Sequence, residues 1–222
     1  MTLFSLPGGA VVGTTGGAVP EPEDVTATLE AALTTEVARM YEAVATHPDG
    51  DYHFYTGRVA AELYGYRPED LDAMPAGALA AFAGVGCPVE RAKLQPGEQV
   101  VDLGSGAGLD ALIAARAVGP QGRVVGIELN PVMIEKAGTH ARELRCSHAE
   151  FRLGRIEEPP VESGSADVVI SNGVINLSFR KTQVIKEVFR ILRPGGRVSI
   201  VDVVSARPLA QSIVNDPKLW AS

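Results

Sequence analysis

Sulfur and aromatic side chains are scarce in this chain. Among 222 residues there are two cysteines, one tryptophan, five tyrosines and six phenylalanines. Cys87 and Cys146 cannot build a disulfide framework, and a reducing cytoplasm is the expected compartment. No apolar run is long enough to span a bilayer. No basic segment leads into an apolar block near Met1, so no signal peptide is expected. Lysine and arginine total 20 against 27 acidic residues, a formal net charge of −7. An acidic chain without a basic run argues against nucleic acid as its main partner. What is present is ordinary: 45% hydrophobic and 21% charged residues, enough for one sizeable core and a small extra lobe.

The most informative stretch runs from Val100 to Asp110. An apolar strand enters a turn with Gly104, Gly106 and Gly108, and an Ala-rich apolar helix follows at once. That layout sets backbone N–H groups and a helix N-terminus beside a cleft. A dinucleotide fingerprint requires its third glycine five positions after the first; position 109 is Leu. Asp102, two positions before Gly104, would repel a pyrophosphate and suits a ligand with a cationic end.

The rest of the chain organises around that turn. Residues 1–22, rich in Gly, Pro and Thr, read as a mobile leader. Leu29, Leu33, Val37, Tyr41 and Val44 mark one face of a helix over 24–46. Short helical pieces are expected at 58–65, 68–73 and 75–83, with a loop at 84–88, giving an N-terminal helical lobe or lid over 23–94. From 95 to 205 strands alternate with helices. Strands are expected at 99–103, 123–128, 150–153, 166–171 and 197–203, with helices at 108–118, 131–144 and 181–192. Asn130-Pro131 supplies a cap and a first-turn proline. This rhythm implies an α/β, Rossmann-like, doubly wound, mostly parallel sheet with its ligand at the carboxyl ends of the strands. Residues 206–222 form a tail.

The crevice offers candidate groups in order. Gly104, Ser105 and Gly106 allow close backbone approach. Asp102 is placed to organise the turn and face the cationic end of the ligand. Glu128, closing the second strand, suits ribose hydroxyls. Leu129 and Met133 suit the faces of a base, Met133 being equally readable as core. Arg155, Ile156 and Glu157 follow the third strand, near the edge of that base. Asn172 and Val174 enter from the end of the fourth. Asp110 reads either as a first-turn acid or as a ligand contact.

These residues carry a family likeness. Val101-Asp102-Leu103-Gly104-Ser105-Gly106-Ala107-Gly108 resembles the first motif of class I S-adenosylmethionine-dependent methyltransferases. Arg193-Pro194-Gly195-Gly196-Arg197 resembles the turn before their fifth strand. A narrower resemblance is to arsenite methyltransferases. Ser171-Asn172-Gly173-Val174-Ile175-Asn176-Leu177-Ser178 is similar to that family's Ser-Asn-Cys-Val-Ile-Asn-Leu block. Gly84-Val85-Gly86-Cys87-Pro88 is similar to its Gly-Cys-Gly-Asn-Pro segment, and Asp216 to Ala221 to a segment near its last important cysteine. The resemblance implies S-adenosyl-L-methionine as cofactor and trivalent arsenic, held by thiolates, as methyl acceptor. The matched cysteine positions fall on Val85, on Gly173 and just past Ser222, so none is a cysteine here. A small organic acceptor, or a non-catalytic binding protein on the same fold, are the alternatives.

Cys87 is a candidate displaced ligand or a small buried hydrophobe. His53, within an aromatic run from Tyr52 to Tyr55, is the candidate base, with His47 and Glu157 behind it. A class I sheet usually has seven strands, so the last strands are expected to be missing here. Either the sequence continues past Ser222, or a homodimer covers the edge of the fifth strand.

Overall fold

The computed structural model describes residues 22–47, 50 and 52–207. The expected leader up to residue 21 and most of the tail, including Asp216 to Ala221, lie outside the described residues, while Pro22 opens the first helix. Five parallel strands form one sheet in the order β3-β2-β1-β4-β5: β1 (Gln99–Leu103), β2 (Arg123–Glu128), β3 (Ala149–Leu153), β4 (Ala166–Asn172) and β5 (Leu192–Val201). The chain winds outward from β1 to β3, then crosses back to β4 on the other side. The topological switch point therefore lies between the ends of β1 and β4, where open α/β sheets bind ligands.

Strands covered on both faces become continuous apolar runs, and Val168, Val169 and Ile170 of β4 are fully buried. Alternation still sorts the sides. Val101, Leu103 and Val169 pack with Val184, Val188 and Ile191 of α8 (Lys181–Ile191). Val100, Val168 and Ile170 pack on the other face with α6 (Leu109–Val118). α7 (Pro131–Glu143) is capped by the side chain of Asn130, which accepts the Val132 N–H at 2.8 Å.

The region expected as an N-terminal lobe shares this core. α2 (Gly57–Leu63), α3 (Pro68–Leu71), α4 (Ala76–Ala80) and α5 (Pro88–Ala92) bury Ala61, Leu71, Leu79 and Val89 in the same cluster as Leu112 and Val100. α1 (Pro22–Thr46) lies across the carboxyl ends of the strands, beside α7. Two elements differ from expectation. α5 forms at the end of the loop expected at 84–88, opened by Pro88 at its first position. β5 begins at Leu192 instead of Arg197, with a register shift against β4. Among the described residues β5 has no neighbour beyond it, and an edge strand tolerates Pro194 because no partner needs its N–H.

Candidate cofactor and acceptor site

The turn after β1 is built on the sheet itself. Gly104 and Ser105 both donate their N–H groups to the Ile127 carbonyl of β2, at 2.8 and 3.0 Å. Gly106 adopts φ +52°, and a Cβ there would meet nothing within 4 Å. The open space lies in front of the backbone, where a ligand would approach.

Glu128 organises this turn. Its Oε2 accepts the Gly106 N–H at 2.9 Å, and its Oε1 accepts those of Leu129 and Asn130 at 2.8 Å each. A carboxylate has about four acceptor positions, so roughly one stays free. Burial pushes the Glu128 pKa up, and the three backbone bonds oppose that.

A cavity of about 120 Å³ opens beside it. Of the sequence candidates, Gly104, Gly106, Glu128, Leu129, Arg155, Ile156, Glu157 and Val174 line it. Sequence reading missed Thr34, Tyr41, Gly154, Leu177 and Ser178 as cavity-lining residues. Val37, which also lines it, shares the apolar face of α1 with Tyr41, and that periodicity was their only signal. Burial, then the charges of Glu128 and Asp202, raise the Tyr41 pKa to about 12, so its hydroxyl stays protonated.

The space is that of a few waters. α1 is the element that roofs this space. α1 is latched by Glu30, which pairs with Arg180 at 2.9 Å and Arg155 at 3.6 Å. Asn130 and Lys136 also donate to the Ala38 and Ala45 carbonyls of α1. Half-exposed pairs of this kind are worth up to about 1 kcal/mol. Glu30→Ala is therefore expected to speed dissociation of a ligand held under α1 about fivefold in stopped-flow.

Other candidates lie elsewhere. Asp102 is 1% exposed and does not line the cavity. It shares strand parity with Val100, so it turns towards α6 and accepts the Ala111 backbone N–H. Burial first, then Asp110 and Glu128, raise its pKa well above the usual range. Its side chain is enclosed on the α6 face of the sheet, away from the lining of this cavity. Ser105 is buried with its Oγ unpartnered. Met133 packs with Ala45, Ala81 and Ala107 in a core cluster. Asp110 and Asn172 join a buried cluster on the α6 face of the sheet.

Neither catalytic candidate reaches the cavity. His53 is exposed on the loop before α2. Cys87 is buried on the α6 face, and burial raises its thiol pKa to about 11. His47 is exposed beside Thr46. Glu157 lines the cavity, with its carboxylate engaged by the Ser178 hydroxyl at 2.5 Å and by Arg155 at 3.4 Å.

The two cysteine-matched positions within the chain do meet. Gly173 has φ +71°, and a Cβ built on it would lie 3.3 Å from a methyl group of Val85. The end of β4 is thus faced by an apolar side chain.

The comparisons agree with this architecture. A family described as a methyltransferase domain matches residues 94–222. An arsenite methyltransferase of Halobacterium salinarum (strain ATCC 700922 / JCM 11081 / NRC-1) is 44% identical over 159 residues, covering 71% of this chain and 40% of that protein. A demethylmenaquinone methyltransferase of Lactococcus lactis subsp. lactis (strain IL1403) is 37% identical over 107 residues, covering 48% of this chain and 42% of that protein. The crystal structure of an arsenic(III) S-adenosylmethionine methyltransferase from Chlamydomonas reinhardtii superposes with a TM-score of 0.57 at 36% identity, covering 74% of this chain and 55% of that one. The chain spans about two fifths of the length of the curated relatives it matches.

Proposed function

The chain belongs to the family of methyltransferase domains, and on that premise we propose that it transfers a methyl group from S-adenosylmethionine to a small molecule. The carrying observation is the cavity between Gly104, Gly106 and Glu128, roofed by α1. The donor set suits a nucleoside. Gly106 leaves open space at the backbone, Glu128 keeps an acceptor position beside it, and Leu129 and Ile156 offer apolar walls for a base.

The bound cofactor would supply a methyl group on an already activated sulfonium. The protein's own part is to position and to exclude water, and orientation alone is worth on the order of 7–11 kcal/mol. Glu128 and the glycine turn would hold the sugar, Leu129 and Ile156 the base, and α1 with Tyr41 would keep water out. None of the histidines considered as bases lines the cavity, so the site suits an acceptor that brings its own lone pair and needs no strong base.

Val85 against Gly173 favours an acceptor without thiolate ligands, a small organic nucleophile. The 44% identity to an arsenite methyltransferase favours arsenite, and one assay separates the two. Calorimetry with S-adenosylhomocysteine is expected to show binding, and no heat from intact, folded protein ends the cofactor reading. Methylated arsenic formed from arsenite and glutathione would reject the organic-acceptor reading. A cytoplasmic location, and two copies paired over the edge of β5 that is uncovered among the described residues, belong to the same proposal; a monomeric sedimentation mass overturns the pairing.

A further inference from the structure

A buried polar cluster on the α6 face of the sheet ties three separate parts of the chain together. Tyr66, in the loop after α2, donates its hydroxyl to Asp110 at 2.5 Å. Asn172, at the end of β4, donates to the other Asp110 oxygen at 2.9 Å and to the Gly86 carbonyl at 2.8 Å, and it lies 3.1 Å from the Tyr66 hydroxyl. The Asn172 Oδ1 in turn accepts the Val85 N–H at 2.8 Å. All three side chains are less than 10% exposed. Tyr66 is wedged edge-on against Phe82, with ring centroids 5.3 Å apart. The loop they grip leaves no slack: a side chain at Gly84 would run into Asn172 and Phe82, and one at Gly86 into Val201.

We propose that Tyr66 and Asp110 are positioning residues that act through Asn172 to hold the Val85–Gly86 loop against Gly173, on the acceptor side of the site. This rests on the acceptor reading above but uses none of the residues that line the cofactor cavity. The network is made of the groups that a structural filler would not supply. Asn172 spends both ends of its amide on the loop backbone, and the two Asp110 oxygens accept from that amide and from Tyr66. Such satisfied buried networks fix one conformation, because a half-satisfied one is costly.

Cys87, directly after the gripped loop and 8% exposed, reports whether the clasp is closed. Iodoacetamide alkylation followed by peptide mass spectrometry, with Cys146 as reference within the same chain, measures it. Tyr66→Phe is expected to raise the relative Cys87 rate about fivefold or more, the loss of one buried hydrogen bond. The affinity for S-adenosylhomocysteine should stay within about twofold, because Tyr66 is not a cavity residue.

The parent protein supplies a second readout that packing alone would not give. Asp110, faced by Tyr66, Asn172, Asp102 and Cys87, with Glu128 acting on Asp102 from β2, titrates near 6 because burial raises it. An open loop returns it to water and to the ordinary carboxylate range, so the closed form holds the proton more tightly. Relative Cys87 protection should therefore rise as the pH falls from about 7.5 to about 5, and Asp110→Asn should abolish that slope. Unchanged Cys87 labelling in folded Tyr66→Phe, or a slope that survives in Asp110→Asn, overturns the proposal. If Tyr66→Phe fails to fold, the pH slope decides alone. Failure of the parent to bind S-adenosylhomocysteine rejects the cofactor reading instead and leaves the labelling result standing.

Discussion

Asp102→Asn raises the stability of the protein at pH 7.5, and with it the melting temperature. Asp102 is enclosed, one of its oxygens has no partner, and Asp110 and Glu128 lie close enough to disfavour its charge. Its pKa in the folded protein is raised, so the folded state keeps a proton that the unfolded chain releases above about 3.9. A group of this kind contributes its full stability below the unfolded pKa and loses it as the pH climbs through the folded one. Asp110, titrating near 6 for the same first cause, burial, places its part of that loss between about pH 4 and 6. Asparagine keeps the shape and removes the ionisation. Urea unfolding at pH 5 and 7.5 should show the variant ahead of the parent mainly at the higher pH. The slope of stability against pH should flatten by up to about 1.4 kcal/mol per pH unit, one proton's worth. A variant weaker than the parent at pH 7.5 would mean that Asp102 is a charged, well-served carboxylate after all.

The same residue shows where sequence reasoning stopped. The glycine turn, the Asn130 cap and the alternation of strands and helices are local signals, and they located five strands, α6 to α8 and the carboxyl-end crevice. Glu128 and Ile156 followed, because their positions at or just past strand ends place them beside it. Asp102 sits on a strand buried on both faces, where apolar alternation is lost; which face it chose was invisible without the packing of Val100 and Val101. Tyr66 meets Asp110 across 44 residues and Asn172 across 106, and no local pattern couples such positions. The roof formed by α1 was half legible. Its apolar face was plain from Leu33, Val37 and Tyr41, but not the surface it covers. Cys87 drew attention for its element, but its surroundings could not be read locally: it is enclosed on the α6 face, with acidic groups near and its thiol pKa raised to about 11 by burial.

The largest loss of ligand affinity is expected from Glu128→Gln. Three backbone N–H groups converge on the Glu128 carboxylate, those of Gly106, Leu129 and Asn130. An amide offers one oxygen and one NH₂ group. With its oxygen kept on Leu129 and Asn130, the NH₂ faces the Gly106 N–H, donor against donor; turned round, two bonds are lost instead of one. Hydrogen bonds to a charged acceptor contribute about 1.5–3 kcal/mol each, and the orphaned Gly106 N–H lies in the turn that must approach the ligand. A loss of about 3 kcal/mol corresponds to roughly 150-fold weaker binding of S-adenosylhomocysteine. Calorimetry measures it, with far-ultraviolet circular dichroism as the check on folding. Glu128→Ala gives the control: it leaves all three donors unserved but introduces no opposing one, so water can enter and satisfy them. Equal affinity in the parent and Glu128→Gln would show that the nucleoside is not held at this strand end, and the cavity under α1 would lose its claim to the cofactor.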